Sequence, residues 1–233
     1  MADARSGGGP ARKPTRKYAG RPAAERRAER RERLLEAGLQ LFGAGPGYRA
    51  TSVTALCEEA GLSTRQFYEE FRNLEELLAA LHAQVNGWGE EAAVAALAAA
   101  AERGVEERAA AAVRAYAEAV TDDPRRARVA FVEVVGVSPA FEQHRMARRA
   151  QWADLISAEL TAAAARGEAA PRDYRLAATV FVAAVNGFLY EWSAGFIDAP
   201  LDAVVTELVH LLLGTLHPLK ELSEGSSEGP TEG

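Results

Sequence analysis

One short stretch has the residue types and spacing to read nucleic acid. Residues 63–71 run STRQFYEEF. Phe67 and Phe71, four apart, share one helix face and suit a core, which turns Thr64, Arg65 and Tyr68 outward. An arginine near a helix N-terminus matches the O6 and N7 acceptors of guanine, and a tyrosine matches a phosphate or the thymine methyl. Ser63 followed by Gln66 is a capping box. Ser52 is a second N-cap, so two helix N-termini offer backbone N–H groups to phosphates. The competing constellations are weaker. Glu207-x-x-His210 has the spacing of half a di-iron site, but none of His82, His144 or His217 has a glutamate three residues earlier. A partly buried histidine on an interface helix is the expectation there. No Gly-rich phosphate loop, zinc spacing, nucleophile elbow or Ser/His/Asp set can be assembled. No catalytic residue, metal or cofactor is therefore expected. Cys57, the single cysteine, reads as core packing.

Two short helices must position the reading residues. TSVTALCEEA and STRQFYEEF, joined through Gly61-Leu62-Ser63, have the form of a helix-turn-helix in which Leu56, Ala60, Leu62, Phe67 and Phe71 share a small core. A helix starting near Ala23 precedes them, with Leu34, Leu35, Gly38, Leu41 and Phe42 at helical spacing, ended by the glycines of 43–47. Asn73 with Glu76 repeats the capping-box pattern and opens a longer helix through Leu77, Leu78, Leu81 and Val85. Beyond residue 86 the pattern is helical, with breaks near Gly104, at 121–124, around 136–139, at 166–167 and over 195–200. Residues 1–22 and 218–233, rich in Gly, Pro and charge, are expected to be disordered.

The stretch RRERLLEAGLQLFGAGPGYRATSVTALCEEAGLSTRQFYEEFRNLEELLAAL resembles the N-terminal domain of TetR-family transcriptional regulators. The likeness rests on the first-helix L-F, the G-Y-x-A-T-S loop, the A-G-L-S turn and the F-Y-x-x-F recognition helix. It implies an all-α protein: a three-helix helix-turn-helix DNA-binding domain over 23–85, then a helical ligand-binding and dimerisation domain over 86–217. It also implies a homodimer on a palindromic double-stranded operator, with Thr64, Arg65, Gln66, Tyr68 and Ser52 at the DNA. The chain departs from the family pattern at Glu69 and Glu70, and at Leu74 where a lysine usually opens the fourth helix. Residues 34–85 thus carry 3 arginines against 7 glutamates, a poor balance for a polyanion. Either Arg72 takes over the missing lysine's phosphate contact or the basic arm supplies the attraction. The arm is the favoured expectation, with Arg26, Arg27, Arg30 and Arg31 extending the first helix toward DNA.

Composition agrees. With 50 alanines in 233 residues, helix is favoured throughout. The net charge of −6 divides into +7 over residues 1–33 and −13 over the rest, a basic arm on an acidic body. The longest apolar stretch, Leu176 to Tyr190, reads as too short for a membrane span. The N-terminus lacks the apolar core of a secretory signal, and a cytoplasmic protein is expected. In the C-terminal half, Tyr116, Phe131, Trp152 and the amide of Asn186 are the candidate pocket residues for a small-molecule effector. The helices 173–193 and 201–216, with Leu212 on the shared surface, are expected to pair across a two-fold axis. The reading is a repressor released by a small apolar ligand. The alternative is a helical scaffold that keeps the fold without sequence-specific DNA recognition, which Glu69 and Glu70 make conceivable.

Overall fold

The computed structural model describes residues 22–216. The disorder expected over 1–22 and 218–233 falls, apart from Pro22, outside them. Among the described residues the chain forms nine α-helices and no strand: α1 Ala23–Gly43, α2 Val53–Ala60, α3 Thr64–Glu70, α4 Leu74–Ala99, α5 Val105–Thr121, α6 Pro124–Ala127, α7 Pro139–Ala165, α8 Arg175–Ser193 and α9 Leu201–Leu213. Each break expected from Gly, Pro and Asp clusters separates two of these helices. A 3₁₀ turn over Tyr48–Ala50 and a π turn over Arg128–Val132 were not expected.

Helices α1 to α3 and the first turns of α4 form the head. Leu34, Phe42, Leu56, Phe67, Leu77 and Leu78 are fully buried, and Phe71 nearly so. On α1 the buried face is Leu34, Ala37, Gly38, Leu39 and Phe42, while Leu35 and Leu41 are half-buried. That shift from the expected face follows from the close crossing of α4. A Cβ on Gly38 would stand 2.6 Å from a Leu77 methyl, so the glycine lets the two helices touch. Gly61 adopts φ +61° and ψ +40° at the end of α2, the left-handed conformation the turn needs and glycine takes at little cost. Arg33 of α1 donates to the Ala60 and Gly61 carbonyls, at 2.5 and 3.0 Å, satisfying groups a helix end leaves unpaired.

The body is α5 to α9 with the rest of α4. Its apolar core includes Val85, Val120, Phe131, Tyr174, Leu189, Val204 and Leu208. Helix α4 runs unbroken through residue 86, from beneath the recognition helix into the body. Its cap differs from expectation in one bond. Asn73 Oδ1 accepts from Glu76 N at 2.8 Å, but the Glu76 carboxylate accepts from Arg72 N, at 2.7 Å, rather than from Asn73. The Arg72 backbone N–H, and then the Arg72 side chain, hold the Glu76 carboxyl below its usual range.

Two sets of contacts join head and body. Val129, Val134 and Phe141 belong to the core of the head. Glu133, just after the π turn, accepts from Tyr48 N at 2.7 Å and from Arg128 Nε at 2.8 Å. Arg49 donates to Gly136 O at 2.6 Å, and Arg125 bridges Asp123 to Glu36 of α1.

By length and hydropathy alone α8 could cross a membrane, a correction to the expectation that this stretch is too short. It instead sends Ala178, Phe181, Val182, Val185 and Leu189 into the protein interior. Leu212 is a second correction. It is buried within the protomer, whereas Leu176, Val180 and Leu211 form the exposed apolar surface of α8 and α9.

Candidate functional site

The helix-turn-helix owes its shape to local chemistry. Ser52 Oγ accepts from Ala55 N at 3.1 Å and starts α2. The Ser63–Gln66 capping box is complete: Gln66 N donates to Ser63 Oγ at 3.3 Å, and Ser63 N donates to Gln66 Oε1 at 2.9 Å. Gln66 is half-buried with its carbonyl oxygen spent on the cap, so its role in starting the recognition helix α3 is visible directly. Phe67 and Phe71 point inward with ring centroids 6.0 Å apart, and the Arg31 guanidinium covers Phe71 at 4.4 Å. Thr64, Arg65, Tyr68 and Glu69 are exposed, and their spacing gathers them on one patch of helix surface. Tyr68 is 60% exposed although its ring packs edge to face with Phe67 at 5.2 Å, which leaves the large side chain outward.

The two glutamates have different fates. Glu69 stays at the surface, with its carboxylate 3.4 Å from Arg65 Nε. Glu70 turns inward until its side chain is 1% exposed, bound by Arg27 Nε at 3.0 Å and Arg30 at 3.1 Å. The expectation that Arg30 extends the first helix toward DNA is thereby corrected. Its guanidinium neutralises Glu70, because a buried carboxylate without a partner costs several kcal/mol. Arg26 lies on the exposed surface of α1, and Arg72 is exposed and paired with Glu76 at 3.1 Å. Of the acids in the head, Glu70 is thus removed from the surface that would face a polyanion, at the cost of engaging Arg27 and Arg30.

A cavity of about 120 Å³ lies in the body between α4, α5, α7, α8 and α9. Tyr116, Trp152 and Asn186 line it as expected. Phe131 does not. It sits on the π turn and packs into the apolar core, which corrects its assignment. Tyr116 meets Trp152 edge to face at 5.0 Å. The depth of this site pushes the Tyr116 hydroxyl's pKa well above its usual value, so the group is a neutral phenol. Asn186 Nδ2 donates to Val182 O, one turn back, at 2.8 Å. Gly89 makes room for Tyr116, whose ring would lie 2.7 Å from a Cβ there.

Sequence reading missed the polar end of this cavity. His82 and Asn86 of α4 are buried, and His82 Nδ1 faces His144 Nε2 of α7 at 3.3 Å. Burial, then the neighbouring His144, Arg145 and Arg148, push His82 down to about 3. Burial and Arg148 lower His144 in turn. Both rings are neutral near pH 7. Arg145, Arg148 and Arg149 of α7 also line the cavity, with Arg145 paired to Glu142 at 2.7 Å and Arg148 to Glu90 at 3.2 Å, and Glu159 lines it as well. A polar pair at i and i+4 in register with the buried Leu78, Leu81 and Val85 of α4 was the available signal. His210, expected partly buried, is exposed in the protomer, as is Glu207. No group of three potential metal ligands occurs among the described residues.

Residues 34–81 match the family described as bacterial regulatory proteins, tetR family, and residues 102–194 match the tetracyclin repressor-like C-terminal domain. The chain belongs to the TetR family. It is accordingly a transcriptional regulator with a helix-turn-helix DNA-binding domain and a C-terminal ligand-binding domain, and regulators of this family act as dimers. Solved structures share the whole architecture. The fatty acid degradation regulator FadR from Bacillus halodurans superposes with a TM-score of 0.70 at 20% identity, covering 79% of this chain and 94% of that one. FadR from Bacillus subtilis, in complex with stearoyl-CoA, gives 0.67 at 18% identity over 80% and 99%. A tetR-family regulatory protein from Rhodococcus RHA1 gives 0.59 at 22% identity over 82% and 98%. No curated protein sequence matches the chain.

Proposed function

We propose that this TetR-family regulator is a homodimeric repressor that binds a palindromic operator and is released when an apolar acid or acyl ester enters the body cavity. The observation that carries this reading is the course of α4. Only three residues separate its start from the end of the recognition helix, and it continues as the cavity wall through His82, Asn86, Ala93 and Leu97. A ligand that binds one position of α4 better than another biases the placement of α3 by that difference in affinity. The apolar lining of Val113, Leu160, Phe181 and Leu212 suits a hydrocarbon chain, and an anionic head suits the guanidinium groups of Arg149 and of Arg145 and Arg148, the last two now held by Glu142 and Glu90. The stearoyl-CoA bound to Bacillus subtilis FadR supports this effector class. In the head, Arg65 and Tyr68 read bases, while Ser52, Ser63, Thr64 and Arg72 hold phosphates. The exposed apolar surface of Leu176, Val180 and Leu211 meets its copy in the dimer.

The test is a gel shift on sites selected from random DNA, titrated with acyl-CoAs of graded chain length and with free fatty acids. Discrete palindromic sites released by one chain-length class are expected. Sites that no acyl compound releases overturn the effector class, and the absence of any preferred site overturns the repressor reading.

A further inference from the structure

Glu69 is an acid on the surface that must meet a polyanion. Its side chain is 46% exposed and lies one helical turn after Arg65, with the carboxylate 3.4 Å from Arg65 Nε and 3.7 Å from the Arg30 guanidinium. Glu70 beside it is buried and neutralised, so Glu69 is the one acid in the exposed quartet with Thr64, Arg65 and Tyr68. A carboxylate brought among phosphates opposes binding unless the groove supplies it with a donor. The major groove has such a donor in the N4 amino group of cytosine, which glutamate accepts from. Guanine's two acceptors and cytosine's donor lie side by side along the edge of one G·C pair. The Arg65–Glu69 pair presents the complement in the same order, donors next to an acceptor.

We propose that Glu69 is a specificity-determining residue that accepts a hydrogen bond from a cytosine N4 amino group within one base pair of the guanine bound by Arg65. The inference rests on the DNA-binding reading of α3 given above. Glu69 selects by attraction at one base and by repulsion elsewhere, since sequences without a donor at that place leave the carboxylate with only Arg65 and Arg30 to offset the phosphates. Its ion pair with Arg65 pre-orients both side chains in the free protein, which lowers the ordering cost on binding.

The experiment is selection of binding sites from random duplex DNA by the wild type, Glu69→Gln and Glu69→Ala, followed by affinity measurements on the selected sites and on unrelated DNA. The side chain is exposed, so both variants are expected to keep wild-type helix content and melting. The wild type should select a cytosine at one position per half-site and lose about ten-fold in affinity when it is changed. Glu69→Gln should move the preference at that position toward adenine, whose N6 and N7 match a side-chain amide. Glu69→Ala should abolish preference there while binding unrelated DNA more tightly. Unchanged preferences, with all affinities raised alike, would overturn the proposal and leave Glu69 a mere repulsive charge. A loss confined to the guanine position would also overturn it, making Glu69 a brace for Arg65. If the wild type itself selects no sequence, the DNA-binding reading fails together with the inference, and that result is distinct from the other two.

Discussion

Head and body are built from the same element, the amphipathic helix, and fill their interiors differently. In the head, Leu34, Phe42, Leu56, Phe67, Leu77 and Leu78 leave no surface exposed, and the buried charge of Glu70 is matched by two arginines. In the body, alanine-rich helices enclose a cavity of about 120 Å³ lined partly by His82, Asn86, Tyr116 and Asn186. Arg148 Nε and Trp152 Nε1, both on α7, are buried with no hydrogen-bond partner among the described residues. The head, on the reading proposed above, must present Thr64, Arg65, Tyr68 and Glu69 in one geometry, and its core is packed without a gap. The body, on the reading proposed above, must distinguish a filled interior from an empty one, and it forgoes packing at the cavity. The difference separates positional precision from responsiveness, with α4 common to both.

The contrast breaks most severely in the core of the head. Phe67→Ala should destabilise the protein by about 3–5 kcal/mol and abolish operator binding, read by urea denaturation and gel shift. A smaller loss would show that the head can collapse around the gap and is less tightly specified than its burial implies. Next is the ion pair. Glu70→Ala leaves the partly buried Arg30 without its main partner, and a cost of about 2 kcal/mol is expected, discounted because Arg27 is largely exposed. Stability equal to the wild type would mean the pair is replaceable by solvent.

The polar interior of the body should show itself in a pH titration of stability. His82 has a folded pKa of about 3 against 6.5 unfolded. Between those values the unfolded chain binds the extra proton. Stability is therefore full above about pH 6.5 and falls as pH drops toward 3, by at most about 1.4 kcal/mol per unit. His144, also lowered, acts in the same direction. His82→Gln should flatten the curve, and an unaltered slope would place the titration elsewhere.

The smallest effect on stability sharpens the comparison most. Ala112 lines the cavity on α5. Ala112→Leu should change stability by less than about 1 kcal/mol, since added methylenes here enter existing space. It should leave operator affinity intact and abolish release by acyl ligands. Unimpaired release would mean that the effector binds outside this cavity.

Much of the fold was legible because it is written in local chemistry. Ser52, Ser63 and Asn73 cap the helices they were expected to cap, and Gly61 and Pro124 stand at breaks, because caps and turns depend on residues within a few positions of one another. The inward Phe67 and Phe71 followed from a four-residue spacing. The π turn, Phe131's place in the core and the inward course of Leu212 were not legible, since which side of an apolar helix faces a neighbour depends on how distant segments cross. Glu70 shows the limit most plainly. As a residue beside Glu69 it reads as one more surface acid.

Sequence alone determined that this chain is helical, that it carries a helix-turn-helix, and that Arg65 and Tyr68 face away from its core. Those properties rest on periodicity, capping and turn conformation, all set by neighbours along the chain. Tertiary structure decided that Glu70 pairs with Arg27 and Arg30 across about 40 residues, that His82 meets His144, and that the cavity opens where α4 passes from head to body. Those outcomes depend on which groups lose water together, and desolvation is a property of the assembled interior rather than of any stretch of chain.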